Sequence, residues 1–393
     1  MSELKPVVMV PRYWPAVGGA ELHSRRLVQE LQRHCQPTAL RFCSDEPHPT
    51  DTAFAYSQPA VQQDNGVAVM QVAAAGVARQ LLQPLGRFCG TNRWARGAFS
   101  ALSAAPLSHQ LTQFARDHDL IHGIYNGFTP AFDAARRAAL PFVFTPLAHT
   151  TRPAGTAWSS NGFRRLYREA DGIVAMTEYE REWLIRRGAS DDRVIVAPMA
   201  PMLGHSMPEP SHFRETHGIG DHPMVLFLGR AAPYKGYQQV MDSMTAVWRH
   251  HPDTRFVFTG PGQFMDGQPD DPRIILTGPV SEDDKKSALA ACTLLCVPST
   301  EESLGVVYLE AWTFAKPVIA ANIPVLQSVV THGHDGLLCE QDPTEIAIEI
   351  SRLLDDPEMG AEMGRHGALK VEQEYNWAES AERILQLYRS VME

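Results

Sequence analysis

Residues Val225–Gly236 read VLFLGRAAPYKG, a short apolar run followed by a turn that contains two basic residues. Apolar residues recur directly afterwards at the spacing of a helix, at Tyr237, Val240, Met241, Met244 and Val247. An apolar run without polar alternation is typical of a strand that is buried on both faces of a parallel sheet. A strand, a turn and a helix in this order predict one repeat of an α/β fold.

The same alternation recurs along most of the chain. The other candidate strands are Val7–Val10, Leu120–His122, Phe142–Thr145, Gly172–Ala175, Val194–Ala197, Arg255–Thr259, Ile274–Leu276, Leu294–Val297 and Val318–Ala321. We therefore predict an α/β protein built from doubly wound parallel sheets. Such sheets bind ligands beyond the carboxyl ends of their strands.

A break in this pattern predicts the domain boundary. Residues 198–223 contain five prolines and little apolar periodicity. We predict a Rossmann-like domain over residues 1–200, a second over residues 201–376, and a C-terminal helix over residues 377–393. That helix could pack anywhere, including back on the first domain. Two facing sheets would place a ligand in the cleft between them.

The composition excludes several classes of protein. Of 393 residues, 44% are hydrophobic and 20% are charged, which rules out a disordered chain, a collagen-like fibre and a coiled coil. No apolar run approaches the ~18–20 residues that a membrane-spanning helix needs, and Val7–Val10 is too short for a secretory signal. The six cysteines form no CxxC pair, which favours reduced thiols. We expect a cytoplasmic protein.

The charge is divided unevenly between the two halves. Residues 1–200 carry 21 basic and 17 acidic groups, whereas residues 201–393 carry 14 and 28. This balance argues against nucleic-acid binding. It is compatible with an anionic acceptor or a membrane that meets the first half, and equally with random surface drift.

Residues 79–96 are the candidate for such a contact. The segment interleaves four arginines with apolar residues: Arg79, Arg87, Arg93 and Arg96 with Leu81, Leu82, Phe88 and Trp94. One interpretation is a peripheral contact with the inner face of an anionic membrane. The other is an amphipathic helix pair that packs on its own domain.

Two short glycine-containing motifs are candidates for binding an anion. One lies at the start of a helix, and the other contains two cations. Gly18 and Gly19 follow the first candidate strand, where they would let a backbone approach an anion or would simply form a turn. Arg230 and Lys235 flank the turn after Leu228 and could clamp a diphosphate, the alternative being solvated surface charges.

A third motif places two glutamates eight residues apart. Glu302 would lie in the loop after Leu294–Val297, and Glu310 inside a helix that begins near Leu304 or Gly305. The two carboxylates could accept hydrogen bonds from the hydroxyl groups of a sugar and of a ribose. The N–H groups of Gly305 to Val307 could meet a phosphate between them.

Other patterns predict helix caps. Thr177 with Glu180 three residues later resembles a capping box, and Ser281 is expected to cap a helix at Glu282-Asp283-Asp284. The alternative for these acids is a metal site. Lys285 and the acids near Ser281 could instead meet the edge of a nucleotide base.

These motifs, in this order, resemble family 4 of the retaining glycosyltransferases, which have the two-Rossmann GT-B fold. The segment from Glu302 to Glu310, ESLGVVYLE, looks like the E-x7-E signature of that family. Gly229–Gly236 looks like its phosphate clamp, Gly18-Gly19 like its glycine pair, and Lys316-Pro317-Val318 like its Lys-Pro-Val run. Pro198-Met199 stands where the family commonly has Pro-Asn-Gly, which could alter the hinge.

The resemblance implies roles for individual residues. Arg230 and Lys235 would neutralise the donor diphosphate, Glu302 would contact the transferred sugar, and Glu310 would bind the ribose. The backbone near Val280 would lie beside the base, and Gly19 would close over the phosphates. The residues expected to bind the donor also include Gly18, Leu304, Gly305 and Val306. His149 would face the sugar, the alternative being an ordinary histidine near a strand end.

The implied reaction moves a hexosyl unit from a GDP- or UDP-linked sugar to a sugar, glycan or glycolipid, in carbohydrate or cell-envelope biosynthesis. It implies no protein nucleophile, no cofactor and no metal. Three alternatives remain open from the sequence: a GT-B-like sugar-nucleotide epimerase, a catalytically silent sugar-nucleotide-binding protein, and a soluble storage-sugar or disaccharide synthase.

Overall fold

The computed structural model describes residues 4–16, 18–43, 58–89, 92–125, 129–155, 157–204, 208–264 and 271–393. Its contacts divide the chain into two compact units. Unit 1 comprises Met1–Pro198 and Trp377–Glu393, and unit 2 comprises Met199–Asn376. None of the helices in the described ranges is long and apolar enough to cross a membrane.

Unit 1 is built on an eight-stranded sheet with the strand order β3-β4-β2-β1-β5-β6-β7-β8. The strands are β1 (Pro6–Val10), β2 (Thr38–Arg41), β3 (Ala60–Asp64), β4 (Val67–Gln71), β5 (Leu120–Ile124), β6 (Phe142–Thr145), β7 (Gly172–Ala175) and β8 (Val194–Val196). All neighbours run parallel except β3, which pairs antiparallel with β4. The five strands predicted in this half are confirmed.

The helices of unit 1 cover both faces of this sheet, as parallel strands require. They are α1 (Gly19–Leu31), α2 (Gly76–Arg87), α3 (Arg93–Ala115), α4 (Thr129–Ala138), α5 (Asn161–Glu169), α6 (Glu178–Ile185) and α14 (Trp377–Ser390). The C-terminal helix α14 packs against α1 and β7, where Ile384, Leu385 and Tyr388 are buried.

Unit 2 is built on a six-stranded, wholly parallel sheet with the order β11-β10-β9-β12-β13-β14. Its strands are β9 (Met224–Leu228), β10 (Arg255–Thr259), β11 (Ile274–Gly278), β12 (Leu294–Val297), β13 (Val318–Ala321) and β14 (Leu337–Cys339). Its helices are α7 (Pro210–Thr216), α8 (Tyr237–Trp248), α9 (Glu282–Ala291), α10 (Val306–Thr313), α11 (Pro324–Gln327), α12 (Pro343–Asp355) and α13 (Pro357–Glu374).

The strand order of unit 2 determines where a ligand can bind. The chain runs outward from β9 to β11 on one side and then from β12 to β14 on the other. The order therefore reverses between β9 and β12, and a crevice forms at such a switch point beyond the carboxyl ends of the strands. The segments that follow β9 and β12 hold the two motifs with the candidate cations and glutamates.

Two buried histidines make the stability of unit 1 depend on pH. His122 is fully buried between the hydroxyl groups of Tyr388 (2.6 Å) and Thr145 (2.7 Å). Neither ring nitrogen of His23 has a hydrogen-bond partner among the described residues, and its ring lies 5.6 Å from that of Trp377. Burial lowers the pKa of His23 to about 4 and that of His122 to about 3.

We expect the His23→Phe variant to lose less stability in acid than the parent. Burial keeps His23 neutral in the folded state below its ordinary pKa of 6.5, whereas the unfolded chain takes up a proton there. The free energy of unfolding is therefore undiminished above pH 6.5 and falls as the pH drops toward 4. A depression of this size makes the parent lose ~2 kcal/mol more than the variant between pH 7 and pH 5. Thermal unfolding at several pH values measures this difference, and parallel curves would contradict it.

Candidate functional site

The loop after β9 contains both candidate cations and is tied to the loop after β12. Lys235 ends a short 3-10 helix, and Gly236 follows with φ +79°, a conformation that favours glycine. A Cβ on Gly236 would lie 2.8 Å from the carbonyl oxygen of Pro298. The side chain of Gln341 donates to the carbonyl oxygens of Tyr234 (3.0 Å) and Pro298 (2.7 Å). These contacts hold the two loops together at the switch point.

Lys235 and Glu302 form an ion pair in which the ammonium group donates to Oε1 of the carboxylate. Their side chains are only 18% and 10% exposed, so water screens the pair little. The residues come from the two loops that flank the switch point. The structure thus brings together the lysine predicted for the phosphates and the glutamate predicted for the sugar.

Arg230 is exposed on the same loop, and its guanidinium donates to the hydroxyl group of Tyr234 at 3.1 Å. The ammonium group of Lys235 lies 5.6 Å from the centre of the Tyr234 ring. Both cations therefore contact one aromatic side chain, and this role of Tyr234 was not predicted. The position of Tyr234 between Arg230 and Lys235 in the sequence is the signal from which this contact could have been predicted.

Glu310 lies on α10, which begins at Val306, directly after the predicted start near Leu304 or Gly305. Gly305 caps this helix with φ +80°, and a Cβ there would lie 2.4 Å from the ring of Tyr308. The Tyr308 hydroxyl donates to the carbonyl oxygen of Val297 at 2.5 Å, which fastens the helix to the end of β12. The first N–H groups of a helix lack intrahelical partners and can bind an anion.

Glu310 is paired with Lys285 on α9. The ammonium group donates to Oε1 of Glu310 at 2.8 Å, and the side chain of Glu310 is only 5% exposed. Lys285 therefore orients the carboxylate, and its expected contact with a base stays a prediction. Ser281 caps α9 as predicted, because its hydroxyl accepts from the Asp284 N–H at 3.0 Å.

Val280 follows the carboxyl end of β11 and is half-buried. Because β11, β9 and β12 are parallel, Val280 lies at the same edge of the sheet as Arg230, Lys235, Glu302 and Leu304. Leu304 itself is fully buried.

In unit 1, the candidate residues lie at the carboxyl edge of the sheet. α1 begins at Gly19 after β1, with Gly18 as an extended N-cap. A Cβ on Gly18 would come within 2.3 Å of the Glu21 carboxylate, whereas one on Gly19 would meet no described atom within 4 Å. His149 follows β6, is half-buried, and stacks on Trp158 with ring centres 4.8 Å apart.

Glu180 corrects the predicted capping box. The Thr177 hydroxyl accepts from the Glu180 N–H at 3.0 Å, as a cap should. The Glu180 carboxylate does not return to Thr177 but accepts from the N–H groups of Ala148 (2.7 Å) and Met176 (2.6 Å). It thereby fastens the segment that carries His149. Burial raises the pKa of Glu180 to about 7, which the two N–H donors oppose.

Two family models together match most of the chain. Residues 18–200 match the glycosyl transferase 4-like domain, and residues 211–370 match the glycosyl transferases group 1. The D-inositol 3-phosphate glycosyltransferase of Acidothermus cellulolyticus is 30% identical over 325 residues, which are 74% of this chain and 71% of the relative. The chain belongs to the GT4-type glycosyltransferases. The predicted family is confirmed.

Another relative of this glycosyltransferase is the alpha-D-kanosaminyltransferase of Streptomyces kanamyceticus. It is 26% identical over 245 residues, or 58% of the chain and 62% of the relative. HepE of Anabaena, solved with UDP and glucose, has a TM-score of 0.74 at 18% identity and covers 98% of this chain and 100% of its own. The likeness confirms the predicted GT-B fold with two parallel-sheet α/β domains.

The fold of this glycosyltransferase also occurs in other enzymes. The putative UDP-N-acetylglucosamine 2-epimerase of Listeria monocytogenes has a TM-score of 0.66 at 14% identity over 99% of this chain and 96% of that one. The fold therefore does not distinguish a transferase from an epimerase.

Within the described ranges, no group of three histidine, cysteine, aspartate or glutamate side chains could hold a metal ion.

Proposed function

We propose that this glycosyltransferase moves a hexosyl unit from a nucleotide-diphosphate sugar to an acceptor hydroxyl, with retention of the anomeric configuration. The main support is the partly buried pair of Lys235 and Glu302 at the switch point of unit 2. It offers a cation for a phosphate and a carboxylate for a sugar hydroxyl at adjoining positions, in a chain whose relatives are glycosyltransferases.

The proposed donor site extends along the carboxyl edge of unit 2. Arg230 and Lys235 would bind the diphosphate, with the N–H groups of Gly305 and Val306. Glu310, oriented by Lys285, would accept hydrogen bonds from the ribose hydroxyls. Val280 would line the base with its backbone. From unit 1, we propose that Gly18 and Gly19 meet the phosphates and that His149 meets the sugar.

The proposed mechanism needs no nucleophile from the protein. As the bond from the anomeric carbon to the diphosphate oxygen breaks, positive charge develops on the sugar and negative charge on the leaving group. Arg230 and Lys235 stabilise that negative charge without a metal. The leaving phosphate accepts the proton of the acceptor hydroxyl, whose oxygen bonds to the anomeric carbon from the same face.

The proposed donor carries UDP or GDP, and UDP is the first choice because HepE was solved with UDP-glucose. The acceptor is a sugar, a glycan or a lipid-linked molecule in carbohydrate or cell-envelope biosynthesis. We place the reaction in the cytoplasm, with a peripheral membrane contact through residues 79–96.

We expect one nucleoside diphosphate to raise the melting temperature clearly more than the others. A ligand at ~100 times its Kd adds ~2.7 kcal/mol to the stability of the folded state. Thermal unfolding with UDP, GDP, ADP and their sugars identifies the donor. NMR spectroscopy of the reaction with that donor and a panel of acceptors should then show a glycoside with the anomeric configuration of the donor.

The same NMR experiment distinguishes the alternatives. A product of inverted configuration would disprove the retaining mechanism. An isomerised sugar nucleotide formed without acceptor would identify an epimerase instead, and tight binding without turnover would identify a silent binding protein. Transfer to a free sugar or sugar phosphate alone would favour the soluble synthase.

A further inference from the structure

We propose that unit 1 carries a docking surface for an anionic lipid bilayer, formed by the outer faces of α2 and α3. We call it the α2–α3 surface and define it by Val77, Leu81, Phe88, Trp94 and Leu102. The proposal deepens the membrane contact given above and rests on the proposed function only for its purpose, which is to meet a lipid-linked acceptor.

The outer face of α2 is apolar although it faces solvent. Val77 and Leu81 are each 69% exposed, and Phe88, directly after the helix, is 62% exposed. Their spacing of four and seven residues puts them on one face. The buried residues of the helix are Leu82, which is 3% exposed, and Gly86. α2 therefore packs on its own domain, which is one of the two interpretations of the sequence. Its other apolar residues remain exposed to solvent.

The neighbouring helix α3 also carries exposed apolar side chains. α3 packs against α2, and its residues Trp94 and Leu102 are 75% and 61% exposed. Eleven large hydrophobic side chains are exposed in the described residues, and six of them lie between Val61 and Leu102. Single exposed apolar side chains are ordinary on a protein surface, whereas a cluster of them indicates an interaction site.

The charge of this segment identifies the partner as anionic. Residues 65–116 contain five arginines and no aspartate or glutamate, in a chain with 45 acidic and 35 basic residues. Apolar residues interleaved with arginines are the pattern of a helix that lies in the headgroup region of an anionic membrane. A second copy of the chain is a poor partner, because a symmetric contact would bring arginines together.

The position of the surface suits an acceptor that is held in a membrane. α2 begins at Gly76, close after β4 ends at Gln71. Because β4 runs parallel to β2, and β2 to β1, this end of α2 lies at the carboxyl edge of the sheet. Gly19 and His149, which we propose to meet the phosphates and the sugar, follow β1 and β6, and these strands end at the same edge.

Flotation with vesicles tests the proposal without any donor or acceptor. We expect the purified chain to float with phosphatidylcholine vesicles that contain a third of phosphatidylglycerol, but not with phosphatidylcholine alone. Leu81→Glu and Arg87→Glu should each lower the bound fraction at least tenfold. Leu369→Glu and Arg365→Glu, which change exposed residues on α13 of unit 2, are the matched controls and should float like the parent.

Several results would overturn the proposal: no flotation of the parent, equal flotation with neutral vesicles, or equal losses in the α13 controls. Self-association of the parent that Leu81→Glu abolishes would show a contact between copies instead. The thermal shift with donor nucleotides is measured on the same variants in the absence of lipid. A failure of membrane binding is thereby distinguished from a failure of the proposed transfer reaction.

Discussion

Replacing Lys235 with alanine is expected to lower kcat/KM for the sugar nucleotide about a hundredfold, or ~2.7 kcal/mol of transition-state stabilisation. Two losses combine in this variant. The leaving diphosphate loses a cation, and the carboxylate of Glu302, whose side chain is 10% exposed, loses its partner. An uncompensated carboxylate beside the site also repels an anionic donor. Steady-state kinetics at saturating acceptor measures the effect.

Lys370 provides a matched control for this variant. Its ammonium group pairs with Asp335 in the same unit, and its side chain is 18% exposed, as that of Lys235 is. Lys370→Ala should lower the melting temperature but leave the donor kinetics of the folded protein unchanged. Calorimetry adds a second check, because Lys235→Ala should weaken the binding of UDP but not that of uridine. Full activity of Lys235→Ala would refute the role given to Lys235.

β9, β10, β12 and β13 of unit 2 could be predicted from the sequence because they are buried on both faces along most or all of their length, whereas the three-residue strand β14 was not predicted. β9 and β12 have no solvent-facing positions, so they appear as continuous apolar runs. β3 of unit 1 is an antiparallel edge strand, in which Val61, Gln62 and Gln63 are exposed, and its sequence lacks that signal. Helices α2 and α3 were also difficult to predict, since each contains an internal proline.

The candidate site could likewise be predicted only in part from the sequence. The order of motifs along the chain predicted that the loops after β9 and β12 belong to one site, because both follow parallel strands. Which side chains pair could not be predicted. Lys285 and Glu310 are 25 residues apart on different helices, and spacing along a sequence does not reveal how two helices pack. Glu180 was interpreted through its local spacing, whereas its carboxylate acts on Ala148, 32 residues away.

Replacing Glu310 with alanine is expected to raise KM for the donor at least tenfold, ~1.4 kcal/mol, with a smaller effect on kcat. If Glu310 binds the ribose hydroxyls, its contact is the same in the ground state and the transition state, and its loss mainly weakens binding. The variant also leaves the ammonium group of Lys285, which is 19% exposed, without its carboxylate. Glu310→Gln keeps the shape and one acceptor oxygen and should be the milder change.

A donor analogue that lacks the ribose hydroxyls separates the loss of the contact between Glu310 and the ribose from the loss of the partner of Lys285. The parent should prefer the natural donor to the analogue, because a site built to hydrogen-bond a hydroxyl group rejects a ligand without it. Glu310→Ala should bind both equally weakly, so that the coupling between the side chain and the hydroxyls appears as a non-additive loss. Lys285→Met should reduce the preference partly, since the carboxylate remains but is no longer oriented. An unchanged preference in Glu310→Ala would place the ribose elsewhere.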